Sequence, residues 1–115
     1  MKNLIIKVFL ITLLFSATSF KNKMSTGYVT LEVSYMTVMG GQATVYNTDT
    51  NTYYYINAVD TYGSEEVPYG NYQLVSAGTN SCNPPLIHSV TTSTGYTSFT
   101  IDDTNPSFTI FASCY

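Results

Sequence analysis

The feature that most narrows the fold is a two-residue rhythm, broken at short and regular intervals. GYVTLEVSYMTV, residues 27–38, sets Val29, Leu31, Val33 and Tyr35 at alternate positions, opposite Thr30, Glu32 and Ser34. Successive side chains of a strand point to opposite faces, so this spacing predicts a strand with one apolar and one polar side. Gly40 and Gly41 then permit a turn. QATVYN continues as strand, NTDTN is a cluster of turn formers, and TYYYINAV is strand again, rich in aromatic and β-branched residues. DTYGSEE reads as a second turn. YQLVSA, LIHSVTT, YTSFTI and SFTIFASCY read as further strands, separated by the loop AGTNSCNPP and the turns STG and DDTNP. No segment after the first 20 residues sustains a helical period, and 18 Thr and 11 Tyr favour strands. The expectation is one all-β domain over residues 27–115. Its strands, about seven at this spacing, should form an antiparallel Greek-key sandwich.

Within this pattern, EEVPYGNYQL (65–74) has its own logic. Pro68 has no N–H to give a ladder, so it belongs at a strand entrance or on a sheet edge. Gly70 is free to take positive φ. Tyr72 and Leu74 share a face, so the turn delivers an aromatic ring into the core.

The N-terminus has a different character. MKNLIIKVFLITLLFSATSF has a basic start (Lys2, Lys7), an apolar run from Val8 to Phe15, and then small residues, Ala17 and Ser19 among them. That order predicts a secretory signal peptide over residues 1–19, cut after Ser19. The apolar run is shorter than the ~20 residues a spanning helix needs. A polar leader, 20–26, precedes the domain. All four Lys lie before residue 24 and the chain has no Arg, so from Met24 onward seven carboxylates face no fixed positive charge. Such a body cannot grip nucleic-acid phosphates and is repelled by anionic membrane surfaces, so no nucleic-acid partner and no membrane contact after cleavage are expected.

Two cysteines remain, Cys82 and Cys114. In an exported chain an even count favours a disulfide, and a bridge closing about 30 residues stabilises by roughly 3–4 kcal/mol in the chain-entropy account. Two free thiols, or an intermolecular link through Cys114, are the alternatives.

Read together, ATVYNTDTNTYYYINAVDTYGSEEVPYGNYQLVSA resembles the prealbumin-like domains of bacterial surface proteins, the Cna B-type, SpaA-type and carboxypeptidase-regulatory-like group. The carriers are Ala43–Tyr46, the polar turn Asn47–Asn51, Tyr53–Val59, Asp60–Gly63, and Pro68, Gly70 and Tyr72 opening the next strand. The likeness covers about 35 residues and implies a Greek-key sandwich serving as a stalk, spacer or pilus-like module. Two departures bear on that implication. The Lys–Asn isopeptide link frequent in that group has no Lys to form it after Lys23, which leaves Cys82 and Cys114 as the one covalent staple available. The chain closes on FASCY without a sorting tail, so wall attachment by that route is not expected. Nothing points to the ligand-binding transthyretin branch.

Candidate chemistry is sparse. His88 sits between apolar residues in a predicted strand and has neither a nucleophile elbow nor a metal set to work with. Asp102 and Asp103 lie where a turn uses side chains to bond its own backbone. NTDTN and DDTNP contain clustered oxygens that leave a weak calcium site open, but they lack calcium-loop spacing, so no metal and no cofactor are expected. Glu65 and Glu66, adjacent in sequence, point to opposite faces if extended and cannot share acid–base work. Tyr53, Tyr54 and Tyr55 alternate faces, so at least one ring faces solvent as a candidate binding surface; ordinary cross-strand pairing is the competing account.

These readings add up to a small secreted, periplasmic or cell-surface domain without catalytic residues. It is expected to act as a structural or interaction module of the surface or matrix, with an unidentified protein or glycan partner. A carbohydrate- or small-ligand-binding domain built on exposed tyrosines is the alternative, and self-association through sheet edges stays open.

Overall fold

The computed structural model describes residues 25–35 and 40–115. The expected signal peptide, 1–19, and all but the last two residues of the expected leader, 20–26, lie outside the described residues. The elements run β1 (Thr26–Tyr35), β2 (Gly41–Asn47), β3 (Thr52–Ala58), β4 (Tyr62–Pro68), β5 (Gly70–Thr79), β6 (His88–Thr92), β7 (Ser98–Ile101) and β8 (Ser107–Cys114). They form two four-stranded sheets, β4-β1-β8-β6 and β3-β2-β5-β7. The fold is the expected all-β sandwich.

Two expectations about the strands need correction. Eight strands are described instead of about seven, because DTYGSEE, read as a turn, enters β4. Its residues pair antiparallel with β1 from Thr26↔Pro68 to Glu32↔Tyr62. The alternation was hidden because the inward positions of β4 include Gly63, which carries no side chain to mark a face. A Cβ at Gly63 would run into the Asn57 carbonyl, so glycine lets β4 cross close over the end of β3. The second correction is that one pairing is parallel. β1 and β8 run side by side from Tyr28↔Ser107 to Tyr35↔Cys114 at the centre of their sheet. Parallel neighbours need a long crossover, and here the six intervening strands, β2 to β7, supply it.

The core lies between the sheets. Val29, Leu31 and Val33 are buried, as the alternation predicted, with Ala43, Val45, Ile56, Val67, Tyr72, Ile101, Phe108 and Ile110. Each fully buried aliphatic side chain of this kind contributes about 1.5–3 kcal/mol over an exposed one. An aromatic column runs through it: Tyr72 stacks on Phe99 at 5.4 Å between centroids, Phe99 on Phe108 at 3.7 Å, and Tyr54 meets Tyr72 edge-on at 6.1 Å.

Pro68, Gly70 and Tyr72 form the corner between the sheets. Pro68 closes β4, an edge strand, where its missing N–H costs no central ladder bond. It therefore ends one strand and does not itself enter the next. Tyr69 passes between the sheets, and Gly70 opens β5 at φ 157°. Tyr72 then enters the core, and its hydroxyl donates to the Pro68 carbonyl at 2.5 Å. This is a tyrosine corner: a ring packed in the core with its hydroxyl tied to backbone a few residues upstream.

The disulfide joins Cys82 to Cys114, with the Cα atoms 5.8 Å apart. It fastens the 80–87 connection to the end of β8, beside the Ile87–Tyr115 backbone pair, and such a bridge is compatible with an extracellular or periplasmic location.

Candidate functional site

The outer face of the β3-β2-β5-β7 sheet brings together the side chains best placed to meet a partner. Inward positions of β3 carry Tyr54, Ile56 and Ala58, so the intervening Tyr53 and Tyr55 point outward, 53% and 55% exposed. The alternation predicted from the three tyrosines holds, with Tyr54 packed against the core. Register sets Tyr46 of β2 opposite Tyr53, and their rings lie 4.7 Å apart, tilted by 47°. Next to them on β5, the ladder shifts between Thr44 and Val45, so that Val75 and Ser76 are both exposed at a bulge. Gln73 pairs with Ser98 and Asn71 with Thr100, which carries the same outer face onto β7.

One end of this face is held by a chain of hydrogen bonds. The buried Asn47 side chain accepts from the N–H groups of Asp49 and Thr50 (2.9 and 3.1 Å), turning β2 into the loop to β3. Asn51 ends that loop at φ 56° and accepts a hydrogen bond from the Tyr46 hydroxyl at 2.5 Å. The Asp49 carboxylate accepts from Asn71 N–H at 2.9 Å and from its Nδ2 at 3.3 Å. The Thr100 hydroxyl in turn donates to Asn71 Oδ1 at 2.7 Å. Loop, β5 and β7 are thereby tied, around a shallow cleft of about 280 Å³ whose lining includes Thr48, Asn71, Gln73, Ser98 and Thr100. Gly70 makes this possible, since a Cβ there would press against Asn47 Nδ2 and Asp49 Oδ2, both at 3.0 Å.

Burial pushes the Tyr72 hydroxyl above the usual phenol range. The neighbouring Asn47 side chain opposes that shift, although its Nδ2 makes no hydrogen bond of good geometry; Tyr54 and Asp49 add to the rise.

The remaining sequence candidates are scattered. His88 opens β6, exposed, with its ring over Gly78 and its backbone paired to Cys114. Glu65 and Glu66 lie on the β4 edge, and the Glu66 carboxylate accepts from the Thr26 hydroxyl at 2.6 Å. Asp102 closes its own turn: one carboxylate oxygen accepts from the Thr104 hydroxyl and from the N–H groups of Thr104 and Asn105 (2.8, 3.0 and 2.8 Å). The Thr104 hydroxyl foremost, then the Asn105 amide, holds Asp102 below the usual carboxylate range. Among the described residues no group of three His, Cys, Asp or Glu is placed to hold a metal ion.

Sequence reasoning did not find Tyr46, Gln73, Ser98 and Thr100. Each sits at an outward strand position, but that β2, β5 and β7 share one sheet is a fact of topology. The chain matches no protein-family model, no curated protein and no solved structure.

Proposed function

We propose that this chain is an exported, non-catalytic interaction module of the cell surface or extracellular matrix. The observation that carries the reading is the outward pair Tyr53 and Tyr55 on a sheet face stiffened by its own hydrogen-bond chain. Exposed tyrosines offer large contact area at low entropic cost, and a rigid face has little ordering left to undergo on binding. The Cys82–Cys114 bridge supports export, because such bonds persist in oxidising compartments. The prealbumin-like likeness of residues 43–77 belongs to the same proposal. It draws support from the two-sheet sandwich and from the corner built by Pro68, Gly70 and Tyr72.

Fractionation of cells making the full-length chain tests the reading. The expected result is an oxidised protein outside the cytoplasm, retained on envelope or matrix material and released when Tyr53 and Tyr55 are both replaced by Ala. A reduced, cytoplasmic protein would overturn it, as would an exported one whose retention ignores the double substitution.

A further inference from the structure

Formal charge is divided unevenly between the two sheets. β2, β3, β5 and β7 contain no Asp, Glu, Lys, Arg or His. The seven carboxylates sit elsewhere: Glu32 on β1, Glu65 and Glu66 on β4, and Asp49, Asp60, Asp102 and Asp103 in connections. Four strands make this face about 14 Å wide, and the one carboxylate described at its end, Asp49, is taken up by Asn71 through its N–H and Nδ2. Across it stand Tyr53 and Tyr55, then Tyr46, then Gln73, then Ser98 and Thr100.

From this we propose that the outer face of the β3-β2-β5-β7 sheet binds a neutral polysaccharide. The inference rests on the interaction-module reading above and names the ligand class for the same face. Charge removes the competing partners. An anionic polymer is repelled by a body with seven carboxylates and no fixed cation beyond Lys23. A cationic partner is drawn to the carboxylates, three of which are on the other sheet and four in connections; the one at the end of this face, Asp49, already accepts two hydrogen bonds from Asn71. A second copy brings the same surplus of negative charge. What remains is a ligand without formal charge, and the polar groups on the face suit one rich in hydroxyls. Ser and Thr hydroxyls and Gln amides each donate and accept, as sugar hydroxyls do. Tyr53 and Tyr55 offer apolar ring faces with a polar tip, onto which the C–H side of a sugar ring can stack. The cleft beside Gln73, Ser98 and Thr100 gives the hydroxyls at the other end a place to dock.

The test uses the full chain, exported and oxidised, in affinity electrophoresis through gels containing hydroxyethyl cellulose, glycogen or mannan, with polygalacturonate as the anionic counterpart. At least one neutral polymer should retard the protein and polygalacturonate should not. Retardation should persist from about 50 to about 500 mM salt, since no ion pair is involved. Tyr53→Ala and Tyr55→Ala should each weaken binding about tenfold and Gln73→Ala several-fold, each loss being one or a few contacts in size. Tyr28→Ala, an equally exposed tyrosine on the other sheet, should leave it unchanged. Circular dichroism of each variant separates lost binding from lost folding. Absence of retardation by all three neutral polymers overturns the inference. So does an equal loss in Tyr28→Ala, or a concentration-dependent dimer abolished by Tyr53→Ala, which would make the face a protein interface. If envelope retention still depends on Tyr53 and Tyr55 while every neutral polymer fails, the ligand class falls and the interaction module stands. If both fail, both readings fall.

Discussion

The Tyr72 hydroxyl donates to the Pro68 carbonyl, four residues upstream, at the point where the chain leaves one sheet for the other. One side chain thus does two things: its ring stacks on Phe99 in the core, and its hydroxyl fixes the path of the backbone that delivered it there. The bend between β4 and β5 and the aromatic column of the core are therefore joined in one residue.

Tyr72→Phe keeps the ring and removes the donor, so it should cost about 1 kcal/mol, whereas Tyr72→Ala should cost about 3–5 kcal/mol by emptying the core. Urea unfolding followed by circular dichroism checks both. The raised pKa of the hydroxyl has a definite sign: its contribution is complete below the ordinary phenol pKa of 10.0 and is lost as pH climbs through the higher folded value. Ultraviolet titration of the native protein should show a late phenolate that is lost in Tyr72→Phe.

The Cys82–Cys114 bridge should be found by non-reducing mass mapping of the oxidised protein. Removing it by Cys82→Ser and Cys114→Ala together should lower unfolding free energy by roughly 3–4 kcal/mol. Added reductant should destabilise the parent chain and leave the double variant unaffected.

Gly63→Ala should cost about 1–3 kcal/mol, because the new methyl meets the backbone of Asn57 and Ala58 and the strands must move apart. Gly95, with open space around its Cβ position, is the comparison. Gly95→Ala meets no neighbour, though its φ of 80° keeps it from being neutral. Hydrogen exchange on β3 and β4 should quicken in the first variant only.

Asp102 is held below the usual carboxylate range by hydrogen bonds to its ionised form. A depressed folded pKa means stability present above the unfolded value of 3.8 and lost as pH falls through the folded one. Asp102→Asn should therefore melt lower than the parent near neutral pH, with the gap closing in acid. Melting curves between about pH 2 and pH 7 read this directly.

Much of the architecture was legible in the chain because period-2 alternation is a local signal. Val29, Leu31 and Val33 declare β1, and the run Tyr53 to Tyr55 declares that at least one ring leaves the core, while the fold decides that it is Tyr53 and Tyr55. β4 was not legible: Gly63 erases the inward mark, and Ser64, Glu65 and Glu66 look like a loop when they are the polar residues of an edge strand. Pro68, Gly70 and Tyr72 were recognisable as a turn, but the acceptor of the tyrosine hydroxyl depends on where Pro68 ends, which only the folded corner fixes. The candidate face was half legible. Its tyrosines lie on a single strand, while its breadth comes from β5 and β7, whose pairing joins Gln73 to Ser98 across 25 positions of sequence. Alternation reports on neighbours within a strand and is silent about neighbours across a ladder.

The parallel pairing of β1 with β8 also decides how the domain would behave under tension. Pulling outward on the two ends drags these adjacent strands in opposite directions along their common axis. The ladder from Tyr28↔Ser107 to Tyr35↔Cys114 is then loaded in shear, all its hydrogen bonds resisting together instead of parting one after another. The bridge from Cys114 to Cys82 passes part of that pull into the connection between β5 and β6. A domain wired this way would resist extension through the same ladder that joins its first and last strands.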